Sequence, residues 1–227
     1  MSGTLDLELG AEALERSKVD LVVAGFFSDE LPLRGGAGRV DWRLCGLVSD
    51  QILAGRIQGS RAEALLVPSA GQLRANRVMI LGLGTRSEYR LQQISASTQQ
   101  AVSRALALAS PSLAMAPLGL AGDEFSRCAE AIVAGAIAGF ADSATSVRVR
   151  LVVPRAEINR AAQAIEACLE AQKTGSITGL RGDSSLARFD RSSPGGLPLS
   201  VPCFESDSRR RPQVNRVGCA IQLDRGV

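Results

Sequence analysis

Between Val19 and Ala171 the chain alternates short apolar runs of strand length with longer stretches whose apolar residues recur at helical spacing. No other feature restricts its fold so much. Residues 19–27 (VDLVVAGFF) are rich in β-branched and aromatic residues and predict a strand. A loop over residues 28–38 follows, carrying Pro32, Gly35, Gly36 and Gly38. Over residues 40–54, Val40, Leu44, Leu47, Val48 and Leu53 share a face, which predicts one amphipathic helix. Residues 64–68 and 77–83 predict two strands, with the turn-forming residues 68–76 as a hairpin-like link. A helix over 91–109, stopped by Pro111, leads to a strand over 113–117. A helix over 123–140, a strand over 147–153 and a helix over 156–171 complete the series. Such alternation implies βαβ units and a central sheet covered by helices.

Hydrophobic residues make up 45% of the chain and charged residues 22%, enough apolar material for a sizeable core. There is no histidine, and Cys45, Cys128, Cys168, Cys203 and Cys219 form no CxxC pair. Zinc-finger spacings, Ser-His and Cys-His nucleophile pairs and a histidine base are therefore excluded, and the thiols read as free. The net charge of +3 arises late: the chain is near neutral up to Gln172 and basic beyond it. Arg209, Arg210 and Arg211 form the one basic cluster, which reads as a solvated stretch, so nucleic acid is not an expected partner. No apolar run reaches membrane-span length, and residues 1–10 alternate apolar and acidic side chains, unlike a secretory signal. A cytoplasmic, membrane-free protein is expected.

From Thr174 onward glycine, serine, proline and arginine dominate, leaving weak strand candidates at 197–204 and 217–223. The expected division is a folded domain over 1–172 and a poorly ordered tail over 173–227.

Several short motifs agree in order and spacing with a known family. Gly55-Arg56-Ile57-Gln58-Gly59, then Glu63-Ala64-Leu65-Leu66-Val67-Pro68, then Arg77-Val78-Met79-Ile80-Leu81-Gly82-Leu83-Gly84 resemble the N-terminal domain of the leucyl (cytosol) aminopeptidases. Residues 113–122 (LAMAPLGLAG) are similar to the strand and phosphate loop of macro domains. The resemblance implies a macro-domain-like three-layer α/β/α fold with a mixed central sheet. It also implies that the two-metal catalytic motifs belong to a following domain, and neither motif occurs in this sequence. No catalytic residue, metal site or cofactor is expected. Arg181-Gly182-Asp183-Ser184-Ser185 lacks the lysine and paired glycines of the first motif and reads as coincidence.

Three functions follow as expectations. The first is a non-catalytic module for oligomerisation or protein interaction, with a second copy or a full-length aminopeptidase as partner. The second is a macro-like binder of ADP-ribose or another phosphorylated small molecule. For this, the resemblance points to Asp20 at the adenine and to Gly35, Gly36, Gly38, Gly119 and Gly122 as a phosphate cradle. The third is a truncated, inactive aminopeptidase homologue. Against the second stands Ala24-Gly25-Phe26-Phe27, which puts aromatics where ADP-ribose-processing macro domains carry asparagine. Gly82-Leu83-Gly84 lacks the third glycine of a dinucleotide fingerprint and is expected to be a tight strand-to-loop turn.

Overall fold

A computed structural model describes residues 4–120, 124–141, 143–175 and 217–222. Among the described residues seven strands form one mixed sheet in the order β3-β4-β2-β5-β6-β1-β7. They are β1 (Thr4–Gly10), β2 (Leu21–Phe26), β3 (Ala64–Pro68), β4 (Arg77–Gly82), β5 (Ser112–Met115), β6 (Val147–Val152) and β7 (Val217–Gln222). The five inner strands run parallel, and β3 and β7 close the two edges antiparallel. Helices α1 (Gly35–Arg43) and α2 (Leu47–Leu53) cover one face. The other face carries α3 (Leu91–Ala107), α4 (Phe125–Phe140) and α5 (Ile158–Gly175).

The pleat sorts side chains into two cores. On β2, Leu21 and Val23 join the core beneath α3, α4 and α5, whereas Val22 and Ala24 join the one beneath α1 and α2. β1 was legible only as an alternation: Leu5, Leu7 and Leu9 are buried, while Glu8 turns to the opposite face. There its carboxylate meets Arg148 at 3.2 Å and Arg150 at 3.0 Å on the neighbouring β6.

Helices α3 and α4 approach so closely that glycine is obligatory between them. A Cβ on Gly135 would run into the Ser95 carbonyl oxygen, and one on Gly139 would lie 2.6 Å from that of Gln99. The resulting contact fixes the helical layer above the sheet.

Residues 40–54, expected as one helix, are two. The break falls at Cys45 (φ 56°) and Gly46 (φ 86°), both left-handed. The Asp41 carboxylate then accepts hydrogen bonds from the N–H groups of Val48 (2.8 Å) and Ser49 (3.1 Å) and caps α2. α1 also begins five residues before the expected start. Each glycine in a helix costs about 1 kcal/mol relative to alanine, so Gly35, Gly36 and Gly38 predict a loop. Here packing overrides propensity, since a Cβ on Gly38 would sit 2.5 Å from the Leu33 carbonyl oxygen.

The strand candidate at 217–223 is β7, which pairs with β1 from Thr4↔Gln222 to Leu9↔Val217. The candidate at 197–204, the arginines at 209–211 and residues 181–185 lie outside the described residues.

Candidate functional site

In an open α/β sheet the carboxyl ends of parallel strands leave a crevice beneath their loops. The ends of β2, β5 and β6 do so here, forming a cleft of about 340 Å³. Its floor is residues 24–27, its sides are the start of α1 and the loop 116–120, and Val152 and Pro154 close it. Gly35 and Gly36 bring the amino end of α1 to the cleft, with Gly119 facing them. Gly35 has φ +56° with open space where a side chain would stand, so its backbone angle is what selects glycine. Gly119 is constrained twice, by φ +70° and by the Phe27 ring, which a Cβ would approach to 2.6 Å.

Three arginines and one carboxylate give the cleft its charge. Arg34, Arg39 and Arg86 line it with Glu30. Glu30 pairs with Arg34 at 3.7 Å and with Arg86 at 3.5 Å, while Arg39 reaches Glu15 at 3.4 Å. The Arg86 guanidinium also lies 5.1 Å over the Phe27 ring, which meets Tyr89 edge-on. The Tyr89 hydroxyl donates to the Leu118 carbonyl at 3.0 Å, and burial pushes its phenol up to about 12. Helix-terminal N–H groups and guanidinium ions favour an anion, but carboxylates already engage each of these cations.

The six residues expected at the site fall in different places. Gly35, Gly36 and Gly119 meet in the cleft. Asp20 does not. It stands before the amino end of β2, where its carboxylate accepts from the Ser112 hydroxyl at 2.5 Å and N–H at 3.2 Å. It stands roughly 13 Å along the strand from Ala24, the first floor residue of the cleft, and its bonds to Ser112 fasten β2 to β5. Gly38 faces a neighbouring hollow beside Trp42 instead. Gly122 lies outside the described residues. Gly82-Leu83-Gly84, expected as a tight turn, instead continues the line of β4: Leu83 N donates to Phe26 O at 3.0 Å, and Gly84 (φ +79°) donates to Gly59 O at 2.8 Å and accepts from Ser28 N at 2.9 Å.

Sequence reading did not single out the arginines, because only the topology joins positions 34, 39 and 86. It also passed over Trp42, the chain's one tryptophan. This ring is 75% exposed on α1, with the Arg43 guanidinium 5.6 Å from its centroid. Hollows of about 690 and 530 Å³ flank it. Leu53, at the end of α2, is 84% exposed. Among the described residues no group of three or more His, Cys, Asp or Glu is placed to hold a metal, and no helix is long and apolar enough to cross a membrane.

A mixed sheet between helical layers, with a glycine-lined crevice at its carboxyl end, defines a macro-like α/β domain. The chain belongs to the cytosol aminopeptidase family, whose N-terminal domain it matches over residues 22–141. It is 24% identical over 116 residues to a probable cytosol aminopeptidase of Alkaliphilus oremlandii, covering 51% of this chain and 23% of that one. It thus spans under a quarter of that relative's length. Among solved structures it resembles a mutant of tomato leucine aminopeptidase (TM-score 0.58, 16% identity, 74% of this chain, 37% of that one). It also resembles the Oceanobacillus iheyensis macrodomain with ADP (TM-score 0.58, 10% identity, 73% of this chain, 92% of that one). At these identities the likeness to solved structures is one of fold.

Proposed function

We propose that the chain is a non-catalytic interaction module that associates with itself or docks on a full-length aminopeptidase. Trp42 carries this reading. A large aromatic held in water beside a stacked arginine forgoes about 2–3 kcal/mol of burial. Tryptophan and arginine are also the side chains that most often anchor interfaces. Sedimentation velocity of the chain alone, and mixed with a full-length cytosol aminopeptidase, tests the reading. Association in one of the two experiments is expected, with docking on the enzyme weakened roughly tenfold by Trp42→Ala. A monomer that ignores the enzyme overturns it. Leucine p-nitroanilide with manganese or zinc should not be turned over, an outcome shared with the reading as a truncated homologue. Metal-dependent turnover surviving repurification would refute both.

The cleft supports a second reading, a binder of a phosphorylated small molecule, because α1 and three arginines converge there and one macrodomain of this fold was solved with ADP. Two features weigh against ADP-ribose itself: Asp20 lies at the wrong end of β2, and Phe26 and Phe27 are buried in the two cores. Millimolar ADP-ribose is expected to give no saturable rise in melting temperature. A micromolar dissociation constant by calorimetry, lost in Gly119→Glu, would reverse that expectation.

A further inference from the structure

We propose that the outer edge of β3, unpaired among the described residues, pairs antiparallel with β3 of a second copy about a two-fold axis at Leu65, extending the sheet across two chains. The proposal rests on the self-association half of the reading above and assigns it a surface other than Trp42.

The bonds at both ends of the β3–β4 hairpin show which groups are free. Gly82 N donates to Glu63 O at 3.0 Å and Ser69 N to Asn76 O at 3.1 Å. With the register Leu65↔Ile80 and Val67↔Val78, the odd-numbered residues of β3 therefore bond to β4. Antiparallel geometry turns the N–H and C=O of Ala64 and Leu66 outward. Among the described residues nothing hydrogen-bonds to them. Both side chains are exposed, Leu66 at 42%. An edge of this kind is a template for another strand.

The edge is self-complementary in one register. Centring the two-fold on Leu65 sets Ala64 opposite Leu66 of the second copy and Leu66 opposite its Ala64. That forms roughly four main-chain hydrogen bonds and lays a large side chain against a small one. The alternative, centred on Leu66, would drive Pro68, which has no N–H, against the Ala64 carbonyl of the second copy. In the Leu65 register Pro68 instead faces Ala62, where the chain has already turned away at φ 68° and the carbonyl accepts from Arg104 at 2.6 Å. So short a strand buries less than the roughly 1,200–2,000 Å² of a standard interface. The dimer is accordingly weak and concentration-dependent.

Sedimentation of the full chain from about 5 to 500 μM should reveal a monomer–dimer equilibrium. Leu66→Pro removes only an outward N–H and should weaken the dimer roughly tenfold. Leu66→Lys should do the same by placing like charges at the junction. The melting temperature of either variant shows whether it is folded. In a Cys45→Ser background, Leu65→Cys should cross-link as a dimer on oxidation, its Cα atoms meeting at roughly 4.5 Å. Val67→Cys should not, its copies standing roughly 13 Å apart. A chain monomeric at the top concentration overturns the proposal. So does a dimer indifferent to both Leu66 variants, although one broken by Trp42→Ala would leave the association reading standing.

Discussion

Tyr89 and Asp41 each hold a loop-to-helix junction with one polar group, and each can be read in isolation. Tyr89 is the chain's one tyrosine, so tyrosinate absorbance reports on it alone. Its midpoint should lie near 12 rather than 10. Because folding favours the protonated phenol, its contribution is complete below pH 10 and is lost as pH rises from 10 towards 12. Denaturant melts of wild type should therefore lose stability across that window more steeply than melts of Tyr89→Phe. Parallel profiles would mean that the phenol titrates normally. At neutral pH Tyr89→Phe should cost about 1 kcal/mol, the worth of the bond to Leu118 O. Asp41 is buried and serves two N–H groups of α2. Asp41→Ala should lower stability by about 1–2 kcal/mol by denaturant melt, and Asp41→Asn by less.

Among the elements, α3 and α4 depend on two missing side chains. Gly135→Val should cost about 3 kcal/mol or more, because the Ser95 carbonyl it meets is fixed backbone that cannot give way. A chemical-denaturation midpoint unchanged in that variant would refute the close approach. Strand runs and helical periods made most elements legible: residues 64–68 and 77–83 appear as β3 and β4 almost unshifted, and 91–109 as α3. What stayed illegible depends on tertiary context. α1 begins on glycines that loop statistics assign to a turn, and the break at Cys45–Gly46 is held by Asp41, seven positions before the residue it caps. The site shows the same division. Loop glycines at 35, 36 and 119 could be read locally, whereas Asp20, already at the amino end of the predicted strand, was assigned from the resemblance alone, and the arginines meet only after folding.

For the molecule as a whole, β7 adds an antiparallel strand outside β1, at the edge of the sheet. We propose that the domain is complete without that strand. A chain ended at Gly175 should still melt cooperatively, since β1 keeps its parallel pairing with β6; loss of a cooperative transition would make β7 integral. That pairing has a consequence for synthesis. Leu5 is registered with Val147, so the first strand has no neighbour until nearly the whole domain has been made. At ordinary elongation speeds this leaves Leu5, Leu7 and Leu9 waiting roughly ten to thirty seconds in the nascent chain. Their delay marks the opening residues as a ready target for whatever chaperone meets the polypeptide as it leaves the ribosome.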